Sequence, residues 1–298
     1  MSSITIFSAP KAFSDPHINT IQRNAIRSWK ALGSQVEVFI IGEEDGMAET
    51  AAELGVGHIS QVARNEEGTP LVNSIFSLAH ESATNEILIY LNADILLLPE
   101  CLPVIESIHQ QNKDYLLAGR RWDLSITKEL DFSKDWFTGI EQHLIKEGRL
   151  CDMAAMDYFI FPRHLFREIP AFAIGRAGWD NWMIYHAVQQ PWPVIDITPS
   201  HRVIHQIHDY RHLPNGVIHY DLEESQHNIL LAGGMRNLFD LLDVSLIFKD
   251  GRIRKKKMNL EMWLRKIERF VTPEEQKGWR WRLTRILRKS RRKVSRYR

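Results

Sequence analysis

Short apolar runs alternate with amphipathic stretches over most of this chain. Ile4 to Phe7 and Val36 to Ile41 are brief runs rich in branched residues, the mark of strands. Between them Ile18, Ile21, Ala25, Trp29 and Leu32 recur at helical spacing. Asp15 followed by Pro16 supplies an N-cap and a first-turn proline, and Gly33 a stop. Strand, helix and strand in this order predict a βαβ unit with a right-handed crossover. The alternation continues with a helix over Gly46 to Leu54, a strand over His58 to Ser60 and a helix over Pro70 to Ser82. Ile87 to Leu91 is apolar at every position, so it reads as a strand buried on both faces of a parallel sheet. A helix over Glu100 to Gln110 follows, then strands over Tyr115 to Ala118, Met156 to Pro162 and Pro193 to Ile197, with a helical run over Met183 to Val188 before the last.

This pattern predicts one α/β domain over residues 1–221, with a mostly parallel central sheet flanked by helices. Residues 222–298 read as an extension. Glu223 to Leu242 is helical but broken at Gly233 and Gly234, and Asp250-Gly251 marks a hairpin turn between Ser245 to Lys249 and Arg252 to Lys256. From Asn259 on, Leu260, Trp263, Leu264, Ile267 and Phe270 keep helical step, which predicts an amphipathic helix. Thr272, Pro273 and Glu275 predict a capping-box start for a last helix carrying Trp279, Leu283, Ile286 and Leu287.

Composition adds compartment and charge. With 298 residues, 44% hydrophobic and 25% charged, the chain has globular composition. No stretch approaches the roughly 20 apolar residues of a membrane span, and no basic-then-apolar leader opens the chain. Cys101 and Cys151 do not make a disulfide framework, and a reducing cytoplasm is the simpler home. Charge is split unevenly: 20 of the 38 lysines and arginines follow Phe248, against 5 of the 37 acidic residues. An acidic body with a basic amphipathic tail suggests an anionic partner for the tail. A membrane surface, at the inner face of the membrane, or an acidic protein ranks above nucleic acid, because no nucleic-acid motif accompanies the tail.

The candidate chemistry sits at the end of the central strand, in Asn92-Ala93-Asp94. In an extended chain Asn92 and Asp94 point to one side and Ala93 to the other. Ligands of open α/β sheets collect at the carboxyl ends of strands, and Mg²⁺ or Mn²⁺ takes oxygen ligands there. A polar turn without function would use the same residues. Further along, a Gly-rich turn, Gly175 to Asn181, places Asp180 where it reads as an N-cap, and His201, His205, His208 and His212 form a late cluster. No closed four-ligand zinc pattern is present.

Asn92-Ala93-Asp94 resembles the "DXD" segment of GT-A fold glycosyltransferases, with Asn in place of the first carboxylate. The first βαβ unit, the Trp179-Asp180 turn and the late His segment also resemble family 2 members of that fold. The resemblance implies a nucleotide-sugar glycosyltransferase with a divalent metal cofactor, active in cell-surface or exopolysaccharide and glycolipid synthesis. It divides the body into a nucleotide-sugar half, residues 1–120, and an acceptor half, residues 121–221. It puts Asp94 on the metal, with His205 or His208 as a further ligand and His208, beside Asp209, preferred. It assigns Ser8, Ala9, Pro10, Glu43, Arg64, Asn92, Ala93 and Asp94 to the nucleotide-sugar, although a solvated turn is the simpler reading of Glu43 to Asp45. It makes Asp180 the base that deprotonates the acceptor. Asp157, Trp179 and Trp182 fall on the acceptor side, the tryptophans as stacking faces or as core. Arg120 and Arg121 suit either a phosphate or the surface. Trp136 and Phe137, within the polar stretch Lys128 to Glu147, suit a sugar lid or, preferably, docking onto the domain. A sugar-phosphate nucleotidyltransferase and an inactive nucleotide-sugar-binding protein are the alternatives.

Overall fold

The computed structural model describes residues 3–208 and 222–296. The first half runs β1 (Ile4–Ser8), α1 (Pro16–Lys30), β2 (Val36–Ile41), α2 (Met47–Leu54), β3 (Gly57–Ile59), α3 (Val72–Ser82), β4 (Ile87–Leu91), β5 (Ile95–Leu97) and α4 (Cys101–His109). There follow β6 (Leu116–Ala118), β7 (Arg121–Leu124), α5 (Trp136–Glu147), β8 (Arg149–Leu150), β9 (Tyr158–Pro162), α6 (Trp179–Val188), β10 (Val194–Asp196) and β11 (Val203–Gln206). The last part holds α7 (Glu223–Leu231), β12 (Leu246–Lys249), β13 (Arg252–Lys255), α8 (Leu260–Val271) and α9 (Gly278–Arg296).

Nine strands form one sheet in the order β13-β12-β10-β6-β9-β4-β1-β2-β3. β9 runs antiparallel to both of its neighbours and β13 to β12, and every other pair is parallel. Alternation divides each central strand between two cores. Ile87, Ile89 and Leu91 pack with Ile26 and Trp29 of α1 on one face, whereas Leu88 and Tyr90 pack with Phe76 of α3 and Phe161 on the other. This two-sided burial is why β4 carries no polar residue.

Three features differ from the sequence expectation. A second sheet, β5-β11-β7-β8, stands beside the first; its strands are only two to four residues long, too short to leave a periodic signal. The body does not end at residue 221. β12 pairs in parallel with β10, and Phe239, Leu241, Val244 and Phe248 are buried in the two cores. Asp250 and Gly251 both adopt positive φ (52° and 73°) and close the expected hairpin as a tight turn. Finally, Thr272 is not the N-cap of the last helix: it is the C-cap of α8, its amide and hydroxyl both donating to the Glu268 carbonyl, and α9 starts only at Gly278. Trp136 and Phe137 pack against a small core of Leu96, Leu124, Ile140 and Ile204, so they dock onto the domain.

Candidate active site

β4 leads into Asn92, Ala93 and Asp94, and the chain then turns directly into β5. Because β5 pairs antiparallel with β11, Ile95 faces His205. The Gln206 amide continues that ladder to the Asp94 carbonyl at 3.1 Å. The buried Gln206 side chain fixes the junction, donating to the Ile21 carbonyl at 2.7 Å while accepting from Asn24 of α1 at 3.1 Å. β11 also lies parallel to β7, with His205 opposite Asp123. His205 Nδ1 is 3.0 Å from Asp123 Oδ1, and its Nε2 is 3.7 Å from Asp94 Oδ2.

His208 Nε2 lies 3.1 Å from the same Asp94 oxygen. Strict alternation along an extended segment would put His205 and His208 on opposite faces. β11 ends at Gln206, however, and past that point the alternation lapses and both rings reach one carboxylate. Asp94, His205 and His208 thus offer one oxygen and two ring nitrogens within 4.8 Å of one another, the only such group among the described residues. The second Asp94 oxygen, Oδ1, is buried without a hydrogen-bond partner. An orphaned carboxylate oxygen beside two imidazoles suits a divalent cation, and the Asp123–His205 contact is the carboxylate–histidine arrangement that orients a metal ligand. Burial pushes the Asp94 carboxyl up, but the His208 hydrogen bond and the charges of His205, His208 and Arg121 outweigh it and hold it near about 2.

This cluster opens into a crevice of about 840 Å³ at the strand ends. Ala9, Pro10, Arg64, Asn92, Ala93, Asp94, Asp157, Trp179 and Asp180 all line it. Three sequence candidates do not. Ser8 is buried and its hydroxyl ties β1 to β4 through the Leu91 carbonyl at 2.6 Å; Glu43 turns outward, and its neighbour Glu44 lines the wall instead. Trp182 also stays in the core, stacked on His186 at 4.7 Å. Trp179 reaches the crevice but is held edge-on to Tyr90, which limits the face left for a sugar. Asp209 lies outside the described residues.

Several lining groups are already committed. Arg64 donates to Glu44 at 2.9 Å and to the Gly68 carbonyl at 2.8 Å. Asn92 bridges Tyr90, whose hydroxyl donates to it at 2.9 Å, and Asp157, to which it donates at 2.8 Å. Arg121 takes the other Asp157 oxygen at 2.7 Å. Arg121 and Lys11 are further cations lining the crevice. Burial lowers the Lys11 ammonium, while Asp94 raises it. Arg120 instead turns to the Cys151 carbonyl and does not line the crevice.

Asp180 stands across the crevice in the first turn of α6, where Gly178 takes the cap position, so it is not the N-cap. Its Oδ1 accepts the Asn181 amide at 2.8 Å. Burial raises its carboxyl to about 6, and the nearby charge of Asp157 adds to the shift. It is therefore a carboxylate poised to exchange a proton near neutral pH.

No family model matches the chain, and no curated protein matches it. Solved structures do. Glucosyl-3-phosphoglycerate synthase of Mycobacterium tuberculosis is 13% identical, with 87% of this chain and 89% of that one aligned at a TM-score of 0.49. The same synthase in complex with Mn²⁺, UDP and glucosyl-3-phosphoglycerate aligns at 12% identity, over 87% and 88% of the two chains, with a TM-score of 0.46. A mannosyltransferase of Pyrobaculum calidifontis in complex with GDP-Man and Mn²⁺ is 11% identical over 70% of this chain and 58% of that one, with a TM-score of 0.43. Likeness at this level does not specify a reaction.

Proposed function

We propose that this chain is a nucleotide-sugar-dependent glycosyltransferase. The observation that carries this reading is the pairing of two unlike carboxylates across one crevice. Asp94 is held ionised beside two histidines with an oxygen to spare, and Asp180 is raised to about 6. Asp94, His205 and His208 would hold a Mn²⁺ or Mg²⁺ ion. Such an ion, when bound, neutralises the negative charge of a departing diphosphate. Lys11, whose neighbours include Asp94, adds positive charge on the same wall. Asp180 accepts the proton of an acceptor hydroxyl as that oxygen attacks the anomeric carbon, which gives inversion. Asp157 is locked between Asn92 and Arg121 and lines the same crevice.

The acceptor belongs, in this reading, to cell-surface polysaccharide or glycolipid synthesis. The test is release of nucleoside diphosphate from UDP-, GDP- and dTDP-sugars with Mn²⁺, by the native chain, Asp94→Ala and Asp180→Asn. The native chain should release it from at least one donor, and Asp94→Ala should fall to background. Asp180→Asn should retain donor binding while turnover drops roughly 10²–10⁴-fold. Release of pyrophosphate from a nucleoside triphosphate and a sugar phosphate would make the chain a nucleotidyltransferase. Donor binding without any turnover would make it a binding protein.

A further inference from the structure

α8 is built inside out. Glu261, Arg265 and Glu268 point inward with Met262, whereas Leu260, Trp263, Ile267 and Phe270 point to solvent, Trp263 57% and Phe270 81% exposed. The inward charges are fully used. Arg265 pairs with Asp243 at 2.7 Å, and Glu268 accepts from Arg288 and Arg291 of α9 at 2.9 and 2.8 Å. The fold thus buries an ionic network in order to present an apolar stripe spaced three and four residues apart, an arrangement that in water alone loses burial on both counts.

The stripe is bordered by cations. Lys266 Nζ lies 5.9 Å from the Trp263 ring centre. Arg280 donates to the Phe270 and Val271 carbonyls at the end of α8. Arg236, Lys266 and Arg269 line a crevice of about 480 Å³ next to Phe270. α9 adds exposed Trp279 and Ile286 among exposed Arg282, Arg285, Lys289, Arg292 and Lys293.

From this we infer that the exposed face of α8 is an interfacial docking surface for a bilayer containing anionic phospholipid. Trp263, Ile267 and Phe270 enter the headgroup–acyl boundary, and Lys266 and Arg280 meet lipid phosphates, whereas Arg269 is turned inward onto Phe239 and Asp243. Such a bilayer supplies an apolar layer beneath an anionic one, matching the stripe and its border together. A second copy of this face would set the same cations against one another, so a two-fold pairing of the chain is disfavoured. The inference does not depend on the proposed glycosyl transfer, and its test measures binding alone.

The full chain is sedimented with vesicles of phosphatidylcholine and of phosphatidylcholine with phosphatidylglycerol. The native chain should pellet with the anionic vesicles, remain in solution with the neutral ones and be released by salt. Trp263→Ser combined with Phe270→Ser, both exposed and expected to fold normally, should weaken pelleting at least about tenfold. Lys266→Glu with Arg280→Glu should weaken it on anionic vesicles as well. A native chain that stays in solution with anionic vesicles overturns the inference, and so does a double-serine variant that pellets as well as the native chain. A native dimer that the serine variant turns into a monomer, with no vesicle binding by either, would make the stripe a subunit contact instead.

Discussion

Asn92 donates to one oxygen of Asp157 and accepts the Tyr90 hydroxyl, so its amide is used at both ends. An aspartate there could do only half of this work, and its carboxylate would sit against that of Asp157. Asn92→Asp should therefore lower stability by about 1–3 kcal/mol; denaturant unfolding that matches the native chain would count against this role. Asp180 carries the opposite strain. Its carboxyl is raised from 3.8 to about 6, by burial first and then by Asp157. A raised acid holds its proton in the folded chain after the unfolded chain has lost it. Its stabilising contribution is then complete below about pH 3.8 and is lost as pH rises through about 6. Asp180→Asn keeps an acceptor for the Asn181 amide and cannot ionise. It should exceed the native chain in stability by about 1–3 kcal/mol at pH 8 and lose that advantage as the pH is lowered toward 4. Turnover of the native chain should rise as pH passes about 6, the point at which Asp180 can accept a proton.

At the scale of elements, α8 shows what periodicity can and cannot reveal. Leu260, Trp263, Ile267 and Phe270 share a helical face, and so do Glu261, Arg265 and Glu268. Spacing identifies both stripes but not which one points inward; the charged one does, because Asp240, Asp243, Arg288 and Arg291 already lie beneath α8. Glu268→Ala would leave Arg265, Arg288 and Arg291 without their shared buried carboxylate and should cost about 3–5 kcal/mol in denaturant unfolding. Removing α9 would strip Glu268 of two of its partners, so loss of function in such a truncation reports on folding before it reports on any partner. The rest of the fold divides along the same line. β4 and the placement of Asp94 at its end were legible because five consecutive buried residues admit few readings. β5, β7 and β11 were not: β7 and β11 mix charged or polar residues with apolar ones within four positions, and β5 follows β4 after only three residues. His205 was open to either role until its pairing with Ile95 and Asp123 fixed where the ring points, and Asp123 gave no signal because its partner lies 82 residues away.

Across the whole molecule, the acidic body and basic tail are one structure, joined by the α8–α9 ion network and by Lys256 against Asp196 at 2.8 Å. No helix among the described residues is long and apolar enough to cross a membrane. The metal-ligand candidates come from segments over 100 residues apart in sequence, the loop after β4 and the end of β11. An ion bound by them would tie those segments together in the folded chain and find no such site in the unfolded one. Binding then adds to stability by mass action, about 2.7 kcal/mol when the ion stands at about 100 times its dissociation constant. For a chain of this size that raises the melting temperature by about 4 °C. The shift should appear with Mn²⁺ near pH 8, vanish in Asp94→Ala and shrink in His205→Ala. It should weaken at acid pH, because protons compete with a metal for its ligands. A shift of equal size in Asp94→Ala would place the ion elsewhere. No shift in the native chain at either pH, with Mn²⁺ or Mg²⁺, would leave the buried Asp94 oxygen to some other partner and remove the metal from the proposed reaction.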